Sequence, residues 1–545
     1  MMRQHARAIA IAVLGATLAG CQDLDLVNYN NPDRFRALAE PGDVETLIYS
    51  AYRIWWNSVQ NNEPNRAYSI MGLETTSALT GSAVYDVARE PREMIPNHVT
   101  YPGNWLMRRP WDLRWQAISN SIDGLQAIEA GDLRIKEQVG DSLIDVTVRA
   151  QAFAHFVAGL GHTYLAFHFD QSYIFTPDME LAEDLDFKNM AAAGFDFRPY
   201  QEVAAVGREL LERSIELMAQ SPRPIPAHWT NSEELSIEDF TRIVHSYIAR
   251  SLVYTARSVE ERAAVDWNQV LYHLDRGIQK NHWVQYEEDV WYGAYLLYTQ
   301  FLNDARLSNR LVGPADTSGA YQDWLAKPVL ERDKFLVRTP DRRITGSSAT
   351  SNGAYVGYRS TNVSNVAARG QYLNSHYYSL RHGGQAGVRE PGILTALSTV
   401  EMDLLRAEAY YRLGRKAEAA ELINRTRTAS RTIGSTTYPG LPPVTEEGVP
   451  VSTGCVPRKP YRLQDGTIPC GDLWDALMYE KRIELHAIEA LIPYADARGW
   501  GQLLEGTPIH LPVPARELEI IGYPEYSFGG VGGPGAAPPP TTTSP

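Results

Sequence analysis

Three groups of residues in this sequence could do chemistry, and the first is the thiol of Cys21. It follows Leu18-Ala19-Gly20, at the end of an uncharged apolar run from Ala8 to Ala19 that is itself preceded by Arg3 and Arg7. A run this short is the core of a signal peptide, since a permanent bilayer helix needs about 20 apolar residues. Small residues before a cut and a sulfur nucleophile after it are what diacylglyceryl transfer and cleavage require, and the pattern resembles the bacterial lipobox. We expect a lipoprotein signal peptide over 1–20, acylation (palmitate-type chains) at Cys21 and a polar lipidated tether over 21–40. The competing reading is an ordinary secretory leader with a chance cysteine.

The second group is Cys455 and Cys470, the remaining cysteines, in the Pro/Gly-rich stretch GCVPRKPYRLQDGTIPC. Export would put them in an oxidising compartment, so a structural disulfide is expected, worth about 3 kcal/mol for a loop of roughly 15 residues. Two cysteines without nearby histidine are a weak zinc pattern. The third group is aromatic. Trp291, Tyr292, Tyr295 and Tyr298 form one cluster, Tyr372, Tyr377 and Tyr378 another, and Trp105 stands in the polar stretch MIPNHVTYPGNWLMRRP, read as a loop. An aromatic plane covers the C–H face of a sugar well, at about 0.5–1.5 kcal/mol per contact by analogy with aromatic pairs. Trp105, Trp291, Tyr292, Tyr295 and Tyr372 are therefore candidate ligand-binding residues. The alternative for the tyrosine series is a helix face buried in the core.

Catalytic patterns are missing: no HExxH, GxSxG, P-loop, or GxGxxG between strand and helix. His155 and His162, seven apart, could share a helix face, but a metal needs a third ligand. We expect no enzyme, metal or cofactor. An acid pair at glycosidase spacing is the open alternative, because sequence cannot display that distance. The net charge of −14 argues against nucleic acid, which clustered Lys and Arg bind.

The elements that must position these residues are helical. Amphipathic or apolar spacing predicts helices over 44–59, 111–128, 148–169, 200–219, 240–257 and 267–278. From 286 to 400 the chain is rich in Gly, Ser, Asn and Tyr without long periodicity, and reads as a loop-rich insert with short strands. MDLLRAEAYYRLG, ending on Gly414, and RKAEAAELINRTRTAS then form an αα-hairpin over 401–428 that resembles a tetratricopeptide repeat. A last helix is expected over 473–490, and a low-complexity tail over 526–545. The class is mainly α: tetratricopeptide-like pairs forming a scaffold, with the irregular segment carrying short strands.

The lipobox with NYNNPD close behind it, the AEAYYRLGRKAEAAELINRTR hairpin, YEKRIELHAIEA and HLPVPAREL occur in the order that resembles the SusD/RagB family, over about 21–525. RPWDLRWQAISNSIDGL is similar to that family's early helix, with Trp115 where a tyrosine is usual. One corner departs: Ala487 to Trp500, AIEALIPYADARGW, replaces the usual Gly and R-W-x-D-L run. The resemblance implies one helical domain over 41–525 and a non-catalytic surface lipoprotein of the outer membrane. Such a protein binds glycan or peptide and passes it to a SusC-like TonB-dependent transporter. Gln22-Asp23-Leu24-Asp25 is similar to a surface-export signal. An exported α-helical glycoside hydrolase and a periplasmic repeat scaffold for a protein partner are the alternatives.

Overall fold

The computed structural model describes residues 38–79, 83–179, 196–293, 306–360, 367–381 and 392–528. Cys21, the leader, the tether up to residue 37, Tyr295, Tyr298 and the tail beyond 528 lie outside them.

The N-terminal half is built on helices α1 (Pro41–Val59), α2 (Asn62–Met71), α3 (Trp105–Ala130), α4 (Thr147–His168), α5 (Tyr200–Met218), α6 (Ile237–Tyr254) and α7 (Trp267–Asp275). α4 is apolar on nearly every side, and a helix of that kind must be enclosed. Nineteen of its 22 residues are buried, with α1, α3 and α5 packed around it. α5 is amphipathic instead, burying Val203, Gly207, Leu210, Leu211, Ser214 and Met218 at helical spacing. Two glycines let α4 and α5 touch backbone to backbone: a Cβ on Gly159 would fall 2.8 Å from the Gly207 carbonyl, and one on Gly207 would fall 2.6 Å from Thr163 Oγ1. The centre is aromatic, with Trp55 edge-on to Tyr164 and Tyr247 at 5.2 and 5.7 Å.

The C-terminal half adds α8 (Ala320–Ala326), α9 (Thr399–Arg412), α10 (Lys416–Arg427), α11 (Leu473–Leu485), α12 (Leu491–Gly499) and α13 (Ala515–Ile521). Gly414, at φ 79°, turns the α9–α10 hairpin, whose small Ala407, Ala419 and Ala420 admit Leu473, Ala476 and Leu477 of α11. Asp472 and Asp475 form a capping box that starts α11. Strands among the described residues occur only as two-stranded pairs, such as β1 (His282–Gln285) with β4 (Ile393–Leu397) and β2 (Val356–Tyr358) with β3 (Tyr377–Ser379), both antiparallel. The described part of the irregular segment has a small core of its own: Leu307, Leu311, Val337, Ile344, Val356 and Tyr377 pack with Tyr479 and Ile483 of α11. Cys455 and Cys470 are joined by a disulfide, Cα to Cα 5.8 Å.

Two boundaries differ from expectation by more than a helical turn. α11 stops at Leu485 rather than 490, because His486 is extended and Ala487 takes φ 58°. That turn folds the altered corner inward, where its charges meet buried partners. Arg250 of α6 holds Glu401 of α9 at 2.5 Å and Glu489 at 2.9 Å. Arg262 holds Glu408 at 2.7 Å and Asp496 of α12 at 2.9 Å, and Lys481 of α11 reaches Asp496 at 2.7 Å. Arg343 completes a third group with Asp341, Glu480 and Glu484. α3 begins at Trp105 rather than 111 and carries Pro110 inside it. The proline's fixed φ suits a helix, so its cost is one lost hydrogen bond and local crowding, and the chain bears both here. No described helix is long and apolar enough to cross a membrane.

Candidate ligand-binding cleft

Of the candidate aromatics among the described residues, Trp105 is the exposed one, at 36%. It is the first residue of α3, and the helix carries Arg108 one turn on, its guanidinium 4.5 Å from the indole centroid. A planar cation over an indole is a cation–π contact that keeps both side chains in place. Arg108 also pairs with Asp112 at 3.3 Å. It therefore joins the aromatic plane to a cleft whose one wall is His98, Asn104, Met107 and Arg108, and whose other wall is Pro514, Ala515, Arg516 and Glu519.

The second wall comes from HLPVPAREL. Two prolines hold Leu511–Pro514 extended, since the residue before a proline avoids helical angles, and α13 starts only at Ala515. The extended piece docks at the end of α4: Leu511 N–H donates to the His168 carbonyl at 2.7 Å, and the Leu511 carbonyl accepts from Asp170 N–H at 3.0 Å. Asn97 ties the walls together. Its Nδ2 donates to the carbonyls of Val513 and Tyr526, and its Oδ1 accepts from Ala515 N–H, all at 2.9 Å. Tyr526 is fixed in turn: its hydroxyl donates to Asp170 and accepts from Val513 N–H at 3.1 Å and Gln171 Nε2 at 3.0 Å. Burial pushes the Asp170 carboxyl up to about 7, against the opposing pull of Tyr526 and Arg257. The cleft thus offers the guanidinium groups of Arg108 and Arg516 beside His98 and Glu519, with the Trp105 plane adjoining it through Arg108, polar groups able to orient a polyhydroxylated ligand.

The other candidates lie elsewhere. Trp291 is 7% exposed and packs toward Tyr52, ring centroids 6.2 Å apart, so it is a core residue and not a platform. The backbone of the half-buried Tyr292 is pinned to α1, its carbonyl accepting from Trp56 Nε1 and its N–H donating to Asn57 Oδ1. Tyr372 is 6% exposed, and its hydroxyl accepts from Glu90 N–H at 3.1 Å, so it too is structural. The reason is common to both: an aromatic in an irregular segment needs a core as much as one in a helix. His162 is buried, with Nδ1 against the Ala158 carbonyl and Nε2 accepting from Phe175 N–H. Among the described residues no group of three His, Cys, Asp or Glu is placed to hold a metal. Sequence reasoning missed Arg108, Asn97 and Arg516. The arginine pair beside Pro110 was a usable signal for the first, whereas Asn97 is one polar loop residue among many.

No protein-family model matches the sequence, and no curated protein matches it. Solved structures do match the fold. A SusD superfamily protein from Bacteroides vulgatus ATCC 8482 aligns with TM-score 0.52 at 14% identity, covering 88% of this chain and 97% of that one. A SusD superfamily protein from Bacteroides thetaiotaomicron VPI-5482 aligns with TM-score 0.52 at 11% identity, covering 88% and 96%. A laminarin-binding SusD-like protein aligns with TM-score 0.50 at 11% identity, covering 89% and 98%. At these identities the likeness is one of architecture, and in architecture this chain has the SusD fold.

Proposed function

We propose that this chain is a SusD/RagB-type lipoprotein that binds glycan without turning it over, anchored through acylated Cys21 in the outer membrane and facing outward. It hands its ligand to a SusC-like TonB-dependent transporter. The observation that carries the binding role is the exposed Trp105 plane, braced by Arg108, which itself lines a cleft rich in polar groups. The laminarin-binding protein of the same fold makes a β-glucan the first ligand to try. The order of lipobox, hairpin and C-terminal motifs supports the anchor and the transporter.

Calorimetric titration with a panel of neutral oligosaccharides tests the binding role. Trp105→Ala should weaken binding about 2- to 12-fold, the equivalent of roughly 0.5–1.5 kcal/mol for one aromatic contact. Unchanged affinity in that variant would remove the cleft from consideration. Detergent extraction of the native membrane tests the rest: the chain should co-purify with a large β-barrel protein, and recovery as a free monomer would refute the delivery role.

A further inference from the structure

A second open cleft, of about 460 Å³, lies at the other end of α3 from Trp105. That volume is within the range of small-molecule sites, roughly 300–1,000 Å³. α3 contributes Leu125, Ile128 and Glu129 near its C-terminus, α4 contributes Gln151 and His155 from its N-terminal half, and α5 contributes Leu217 near its end. No residue is shared with the cleft beside Arg108. Trp105 and Ile128 are about 35 Å apart along the helix, so the two clefts are separate places on the protein.

The walls are held from behind. Ser214 Oγ donates to the Ala152 carbonyl at 2.7 Å and ties α5 to α4. Gln126 Nε2 donates to the carbonyls of Pro177 and Met179, at 3.2 and 2.7 Å, which fixes Pro177 as a further part of the lining. Leu125, Ile128 and Leu217 are buried and make an apolar floor. Among the charged groups of the rim, Arg134 is held by Asp132 at 2.5 Å and Arg213 by Glu216 at 2.8 Å. Three polar groups of the lining have no bond to any described residue: the Glu129 carboxylate, the Gln151 amide and Nε2 of His155. His155 Nδ1 donates to the Gln151 carbonyl at 2.8 Å, and burial lowers the affinity of the ring for a second proton. The imidazole is therefore neutral, and its Nε2 is left as an acceptor.

These features select a ligand. Fixed charges of both signs stand on the rim, so a ligand of either net charge meets a like charge there. Two of the three unengaged groups accept hydrogen bonds, and the third both gives and takes. Their complement is a neutral molecule with several donors and an apolar face. A pyranose has that form, with hydroxyl groups around the ring and C–H groups across it. We propose that this cleft is a second saccharide site, in which Glu129, Gln151 and His155 Nε2 receive the hydroxyls of a neutral hexose unit over the floor of Leu125, Ile128 and Leu217. That the cleft takes a neutral hydrogen-bond donor stands on its own geometry; that the donor is a sugar rests on the glycan-binding reading.

The test uses the full chain after Cys21 and neutral hexasaccharides of the laminari, cello, malto and manno series. Calorimetric titration gives the number bound. Carbethoxylation of His155 by diethyl pyrocarbonate, followed by mass spectrometry, reports on this cleft alone, because the reagent attacks an unprotonated imidazole nitrogen. With at least one hexasaccharide the wild type should bind two molecules per chain, and saturation should slow His155 modification several-fold, in Trp105→Ala as well. Glu129→Ala combined with Gln151→Ala should raise the concentration that protects His155 about ten-fold or more, the loss expected for a charge-assisted hydrogen bond. The ligand-free Tm should stay within a degree or two, since neither side chain is buried. An unprotected His155, or protection unchanged in the double variant, would overturn the proposal. One molecule per chain, weakened by Trp105→Ala with His155 unprotected, would refute this site and leave the glycan reading at Trp105 intact. Protection of His155 together with binding indifferent to Trp105→Ala would keep this site and refute the other cleft. Neither heat nor protection with any hexasaccharide would refute both. Protection by trilysine or trigalacturonate, and by no neutral sugar, would overturn the ligand class.

Discussion

Replacing Asp170 by asparagine isolates the cost of one buried carboxylate at the hinge between α4 and the C-terminal segment. The Asp170 carboxyl stands at about 7 in the folded protein against an ordinary 3.8. Below pH ~4 both folded and unfolded chains hold the proton, and the residue contributes nothing to pH dependence. Between ~4 and ~7 the unfolded chain ionises while the folded one does not, so the folded state binds more protons and stability falls as pH rises. Above ~7 the loss is complete. About three units at 1.36 kcal/mol each give a ceiling of ~4 kcal/mol, of which ~1.5 is already present at pH 5. Asparagine has no such penalty, and its Oδ1 can still accept from the Tyr526 hydroxyl. At about 2 cal/mol/K per residue over roughly 500 residues, 1 kcal/mol corresponds to ~1 °C in Tm. Scanning calorimetry of Asp170→Asn and wild type from pH 5 to 8.5 should therefore show the variant gaining roughly 2–3 °C on the wild type across that interval. A difference that does not change with pH, or a variant less stable than wild type at pH 8, would mean that the carboxylate is ionised and that its bond from Tyr526 is net stabilising.

Cys455→Ser paired with Cys470→Ser should lower stability by about 3 kcal/mol in denaturant titration, the chain-entropy value for a loop of this length, and added reductant should bring the wild type down to match. Arg262→Met leaves Glu408 and Asp496 with one fewer cation in a sealed site, so a loss of about 3–5 kcal/mol is expected by the same assay. Gly207→Ala should cost about 1–3 kcal/mol by forcing α5 away from α4, visible as a lowered Tm without loss of helical circular dichroism.

The helical scaffold was legible because its signal is periodic. α5 declared itself through Val203, Leu210 and Leu211, and the α9–α10 hairpin through its alanines and Gly414. The disulfide was legible from the cysteine count together with the expected export and the Pro/Gly-rich loop between Cys455 and Cys470. The site was harder for a physical reason: composition records which residues could stack on a ligand, and burial decides which are free to do so. Trp105, Trp291 and Tyr372 are chemically alike in this respect, yet exposure separates one from the other two. Proline misled at residue 110, because its ring breaks a hydrogen bond without always breaking the helix. The corner from Ala487 to Trp500 could be seen to depart from the family pattern, but not that Glu489 and Asp496 enter buried ion pairs, since their arginine partners are 239 and 234 residues away in sequence.

The staple at Asn97 has a temporal meaning. It reaches residues 416 and 429 positions further along the chain. A polypeptide synthesised from its N-terminus has already delivered α1 to α12 before Val513 and Tyr526 emerge. Contacts of such long range close late, because loop entropy is paid before they return anything. The helical scaffold can therefore condense while the cleft still lacks a wall, and the cleft is complete only when the segment from Leu511 to Tyr526 has docked. A nonsense mutation near residue 510 would leave most of the helical scaffold and a cleft with one wall.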